Sequence, residues 1–392
     1  MNMRWLICFS ASALLILSCG LDQIGESLRT DTEGVWKSPS FGKFSSGICY
    51  VSAFEYPEGQ NWKGGEDKNG VSLVMYADGS PVLRMKVGSQ WNISSDPDRH
   101  RIVDGHLYTD FTDGNTTMVK KDGVLLHEWA GAEEVVALVE CDGSVHCLTR
   151  PVSGEGFVYR MDGRSVVERS AGTPFSYFAK GDEGLVFYFS QMAMTSDGSK
   201  LRYYQVADGK VTRLEACDQA DYVWDIRLHE GQLKFLATVG NHIQLMGTDK
   251  VKVIYGPDPE DLISCTFVES DELAAVMKSV DDSGDILSRL FWFQGDLMVN
   301  YITIHPISAV QVCPDGYDVL INPADGVSGH LVGIKRKIML PEGYAAVSRT
   351  CMCRKDSLLY LGLSSSDNGY PLIWNEGKVD TLRINGYISG LQ

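Results

Sequence analysis

The sequence predicts an all-β protein, a β-propeller of four-stranded blades. Three observations carry this. Short alternating apolar runs are separated by Asp-Gly and related turn pairs, the pattern of β-hairpins. The pairs recur about every 44 residues. No long helical periodicity competes after residue 20. A chain of 392 residues would strain one core, whereas small sheets set side by side each bury two faces against neighbours.

The strands of each unit are lettered A to D outward from the centre. The first turn of a unit, A to B, falls at Ser46-Gly47, Asp104-Gly105, Asp142-Gly143, Glu183-Gly184, Glu230-Gly231, Asp271-Glu272, Asp315-Gly316 and Asp356-Ser357. Each is followed by a B strand, from ICYVSA in the first unit to LLYLGL in the last. The second turn, C to D, falls at Asp78-Gly79, Asp122-Gly123, Asp162-Gly163, Asp208-Gly209, Asp249-Lys250, Gly295-Asp296 and Glu376-Gly377, with Lys335-Arg336 in the seventh unit. The A strands read VVALVE, FSYFAK, WDIRLH, ISCTFV, ISAVQV and SRTCMC, apolar or small as suits the centre. Eight blades are favoured. A seven-bladed ring, with residues 35–100 arranged otherwise, is the alternative.

The chain closes on Tyr387-Ile388-Ser389-Gly390, a strand with nothing after it to pair with. The first unit opens on its B strand at Ile48 and lacks an A strand of its own. The C-terminal strand is expected to fill that slot and close the ring, which removes an exposed edge. A frayed tail is the competing reading.

The N-terminus reads as a targeting signal: Arg4, then an apolar run from Leu6 to Leu17 too short to span a bilayer. Ile16-Leu17-Ser18-Cys19 resembles the lipobox of bacterial lipoproteins. The resemblance implies cleavage before Cys19, lipidation of its thiol, and, with Gly20 in place of a retention Asp, an outer-membrane lipoprotein of a Gram-negative bacterium facing the periplasm or the surface. The expected organisation is a signal peptide over 1–18, a lipidated tether over 19–34 and one propeller domain over 35–392.

The last unit carries a second resemblance. Leu359, Tyr360, Gly362, Trp374, Glu376, Gly377 and Lys378 are similar to the repeat of uncharacterised bacterial lipoprotein propellers. The match covers about 30 residues and decays in the other units. It implies a fold and an envelope location, and no activity.

The net charge is −16, one unit more negative once Arg4 is removed. That argues against a nucleic-acid partner, whose phosphates need Lys and Arg, and leaves the lipid as the only expected membrane attachment. Ten cysteines are present. Apart from Cys8 and Cys19, none shows disulfide or zinc spacing, and they read as buried free thiols. The eight histidines lack paired metal spacing. No nucleophile elbow occurs, since Gly326-Val327-Ser328-Gly329 is followed by His330. Neither Asp281–Asp285 nor Glu66–Gly70 completes a calcium loop. No metal, cofactor or catalytic residue is assigned.

Strands alternate in direction, so the long B–C and D–A loops share one face, where sites usually reside. They include Phe54–Gly70, Gly88–His100, Ser190–Lys200, Ala216–Tyr222 and Tyr255–Asp261. That face is expected to carry Trp62, Trp91, Trp129, Tyr222 and Trp224, with Asp96, Asp98, Glu133, Glu134, Asp218, Asp221, Asp225, Asp258, Glu260 and Asp261 beside them as solvated carboxylates. Exposed rings next to carboxylates suit sugars or a basic protein loop. The ligand-binding candidates are Trp62, Trp91, Tyr222, Trp224 and Asp225. The leading expectation is a glycan- or protein-binding module at the cell envelope without chemistry. The alternative is a glycan-active hydrolase or lyase with paired carboxylates at the axial channel.

Overall fold

The computed structural model describes residues 41–392 except 42, 61–69, 87–99, 114, 153, 182–183, 197, 230–231, 248–250, 256–261, 269, 280–285, 295–296, 304–306, 314–315, 322–328, 334–335, 347–348, 356–357, 366–368 and 376–377. It is an all-β β-propeller with eight antiparallel blades. The seven-bladed alternative does not hold. Seven sheets have four strands, and the eighth has a fifth, two-residue member.

The chain divides into two compact units. The first holds residues up to 109, 120–126 and 346–392. Its blade one consists of Tyr50–Glu55, Ser72–Ala77 and Ser80–Lys86, and its innermost strand is the C-terminal Gly386–Leu391. The unpaired strand at the end of the sequence therefore pairs where expected. Val51 faces Leu391 and Phe54 faces Tyr387, with a one-residue register shift between Ser52 and Ala53. The Tyr50 and Gln392 backbones exchange two hydrogen bonds, at 2.8 and 2.9 Å. The Phe54 and Tyr387 rings lie 5.1 Å apart, both buried. Blade eight follows the same plan with Met352–Lys355, Leu358–Ser365, Leu372–Asn375 and Lys378–Thr381.

The second unit holds 110–119 and 127–345. Its innermost strands are Glu133–Cys141 in blade three, Thr173–Gly181 in four, Tyr222–His229 in five, Leu262–Val268 in six and Ile307–Cys313 in seven. Aromatic side chains fill the seams between consecutive blades. Phe157 of blade three meets Phe189 of blade four at 4.9 Å, and Trp292 of blade six meets Tyr317 of blade seven edge-on at 5.8 Å. Fully burying such a ring contributes about 1.5–3 kcal/mol.

The turn chemistry explains why the repeat was visible. Asp78, Asp104, Asp122, Asp142, Asp162 and Asp208 all adopt positive φ, between 46° and 51°, and each precedes a Gly at φ 71° to 80°. Asp tolerates that region and Gly enters it freely, as a two-residue hairpin turn of matching twist requires. Two of these carboxylates also tie their blade together. Asp122 Oδ1 accepts the Leu107 amide at 2.9 Å, and Asp162 Oδ1 accepts the Val145 amide at 2.8 Å.

Several expected boundaries are corrected. Asp271-Glu272 is no turn but lies inside the strand Ser270–Ser279. Ser46-Gly47 joins no A strand to a B strand, and the first strand begins at Tyr50 rather than Ile48. Arg336 opens a strand instead of ending a turn. In SRTCMC, Arg349–Cys351 is a 3-10 turn, so the innermost strand starts at Met352. The loop placed at Ser190–Lys200 is a continuation of the hairpin Gly184–Thr195 and Gly198–Ala207, paired as far as Thr195 and Gly198.

Candidate functional site

Each innermost strand of blades three to seven carries a bulge against its B strand within its first four residues. In blade five the register steps from Val223 to Asp225, so Trp224 is the extra residue. A bulge turns a side chain out of the regular alternation. Trp224 is thereby laid against the core of blades five and six, where its Nε1 donates to Thr238 Oγ1 at 2.9 Å. Tyr222 packs edge-on against it, ring centroids 4.8 Å apart, and remains 43% exposed. Ile263, the bulged residue of blade six, is 51% exposed at the second position of the adjacent innermost strand.

The long hairpin of blade four extends beyond the rest of its sheet. Its partners Thr173 and Arg213 pair no further than Ser190 and Tyr204. Met192 and Met194 stand out from it, 58% and 85% exposed. The loop Glu215–Gln219 braces the arm. Asp218 accepts Arg202 at 2.7 Å and also Arg213, while Lys200 Nζ donates to the Asp218 carbonyl at 2.6 Å. Burial works against the charge on Asp218, but Arg202, Arg213 and Lys200 hold its carboxyl below the ordinary value.

Among the described residues, the carboxylates expected to be solvated, Glu133, Glu134, Asp218, Asp221 and Asp225, are engaged instead. Asp225 is buried in the centre of its strand. It accepts from the Ile226 amide at 2.8 Å, the Phe267 amide at 2.9 Å, Thr266 Oγ1 at 2.8 Å and Ser176 Oγ. One side chain thus joins the innermost strands of blades four, five and six. Glu133 takes a bidentate pair from Arg160 at 2.7 and 2.9 Å, Thr149 Oγ1 at 2.5 Å and Trp129 Nε1 at 2.9 Å. The Arg160 guanidinium lies 4.4 Å over the Trp129 ring, which closes that ring off as a platform. Glu134 pairs with Arg150, and Asp221 accepts the Gly240 amide at 2.7 Å. The cause is cross-strand register, which sequence spacing does not reveal: Arg160 sits 27 residues from Glu133 yet two strands away in one sheet.

Tyr222, Trp224 and Asp225 therefore come together, but in different roles: an exposed ring, a half-buried support and a buried fastener. The hairpin methionines were missed, because their alternation reads equally as a loop or a strand. Cys19, Trp62, Trp91, Asp96, Asp98, Asp258, Glu260 and Asp261 lie outside the described residues. Among the described residues no three His, Cys, Asp or Glu side chains form a group able to hold a metal ion. No helix among them is long and apolar enough to cross a membrane.

No family model matches the chain, and no curated protein matches it. Solved structures with a similar fold include apo AztD from Citrobacter koseri, 9% identical with a TM-score of 0.47, covering 87% of this chain and 97% of that one. The WD40 domain of SCAP from fission yeast is 9% identical at a TM-score of 0.41, covering 81% and 86%. Hsv2 of Kluyveromyces lactis is 8% identical at 0.39, covering 71% and 95%. None of these likenesses bears on the chemistry of the site.

Proposed function

We propose that the chain is a binding module of the cell envelope, anchored by lipid at Cys19 to the outer membrane, that recognises its ligand without chemistry of its own. The observation that carries the reading is Tyr222. Its ring is held by the bulged Trp224 at the start of an innermost strand and stays exposed, while the neighbouring carboxylates are spent on structure. A fixed aromatic side chain with one open face binds at low entropic cost. Of the two ligand classes the sequence leaves open, a protein is favoured over a glycan. The exposed thioethers of Met192 and Met194 suit an adaptable protein surface. Of the loop-face carboxylates that are described, Glu133, Glu134 and Asp218 are salt-bridged to arginines and Asp225 is saturated by hydrogen bonds, which leaves little for glycan hydrolysis. The lipobox and the net charge of −16 support an anchored protein facing an aqueous compartment.

Two experiments test this. Cys19→Ala should shift the protein from membrane to soluble or uncleaved material, with loss of fatty-acid labelling. A screen of envelope proteins and glycans, followed by titration, should find a ligand whose affinity falls about 30-fold in Tyr222→Ala while the melting temperature holds. Equal affinity in wild type and variant would overturn the placement of the site.

A further inference from the structure

Cys49 and Lys355 meet in the first unit. Lys355 Nζ lies 2.5 Å from Cys49 Sγ, and both side chains are partly exposed. That separation is shorter than the ~2.7–3.2 Å of an N–H···O hydrogen bond, although sulfur is the larger atom. It is the spacing of two atoms that share one bridging atom. The backbone fixes both ends. The Cys49 carbonyl accepts the Asp78 amide at 2.8 Å just before the strand Tyr50–Glu55, and Lys355 pairs with Leu358 at the end of blade eight's innermost strand.

We propose that Cys49 and Lys355 form an oxidative modification site, at which peroxide installs one oxygen atom between sulfur and nitrogen and so staples blade one to blade eight. In the first step the thiolate attacks peroxide, the O–O bond breaks, and Cys49 becomes a sulfenic acid with release of one water. In the second step the sulfenic O–H and one Lys355 N–H are lost and an O–N bond forms. A second peroxide accepts those two electrons and leaves as two waters. Two equivalents of a dithiol return the thiol, the amine and one water.

The neighbouring thiols do not compete. Cys353 lies two residues before Lys355 on the same strand. Burial pushes it up to about 12 in spite of the lysine charge, so it stays protonated and a poor nucleophile. Cys351 is fully buried, with its Sγ against the Ile388 carbonyl at 3.3 Å. Cys49 is partly exposed and is the thiol of this group whose sulfur lies against the Lys355 amine. The link would join residues 306 apart in sequence, beside the C-terminal strand. It therefore restricts the unfolded chain strongly, as a disulfide closing a long loop does.

The test is a tryptic mass map of the purified full chain after reduction with dithiothreitol and after hydrogen peroxide. The expected oxidised product is one peptide joining the Cys49 and Lys355 segments, heavier than their sum by one oxygen less two hydrogens. It should resist cleavage after Lys355 and disappear on re-reduction. Oxidation should also raise the melting temperature by several degrees in the wild type and not in Cys49→Ser or Lys355→Arg, whose values in reductant match the wild type. The proposal is overturned if Lys355 is cleaved normally after oxidation, if Cys49 is recovered only as its sulfinic or sulfonic acid, or if Cys49 is joined to another cysteine. The wild-type map decides even where a variant fails to fold.

Discussion

At the scale of single residues, the carboxylates divide the chain into fasteners and solvent. Glu133 is buried under Arg160, Thr149 and Trp129. Removing one partner of a buried pair leaves the other charge uncompensated. Glu133→Ala should therefore cost about 3–5 kcal/mol, read as a lowered urea midpoint at unchanged slope. Asp380 gives a pH prediction. Burial opposes its charge, but hydrogen bonds from the Ser45 and Ser46 amides and the Ser45 hydroxyl hold its carboxyl below the ordinary 3.8. Because the folded value is depressed, its contribution is complete above pH 3.8 and is lost as pH falls through the lower folded value. Asp380→Asn should abolish that part of the acid-induced loss of stability, measured as the wild-type minus variant melting temperature from pH 6 downward. Of these residues, the turn aspartates were legible in the sequence because each precedes its glycine. Glu133 and Asp225 were not, because their partners come from other strands and, for Asp225, other blades.

Strands and turns explain the rest of that contrast. A two-residue turn leaves a local signature, so the Asp-Gly pairs marked most hairpins. A bulge leaves none. It only shifts register by one residue, and the exposed side of Trp224 and Ile263 depends on that shift. The C-terminal strand was legible through a count of strands per blade. Its fit is close: a Cβ at Gly386 would stand 1.8 Å from the Phe54 carbonyl oxygen. Gly386→Ala should thus push Gly386–Leu391 away from Tyr50–Glu55. Deleting residues 387–392 should lower stability by several kcal/mol, a large share of the ~5–15 kcal/mol of a typical domain. Hydrogen exchange should show faster exchange of the Val51–Glu55 amides in both variants. Protection equal to wild type would mean that the strand is dispensable.

For the whole molecule, eight small sheets supply the frame; within it Tyr222 stands exposed at the start of blade five's innermost strand, and Met192 and Met194 stand exposed on the blade-four arm. The fold was readable from sequence because repetition averages out weak local signals. The site was not, because exposure at Tyr222 is set by packing that only the folded chain defines. The central claim is that this surface meets a partner. The most direct measurement is site-specific photo-crosslinking in intact cells, with a benzophenone amino acid in place of Tyr222 or, as control, in place of Val166, an exposed residue on the outermost strand of blade three. The account predicts a discrete crosslinked envelope protein from position 222 and none from position 166. Equal adduct patterns at both positions, or no adduct from position 222 at equal expression, would contradict it.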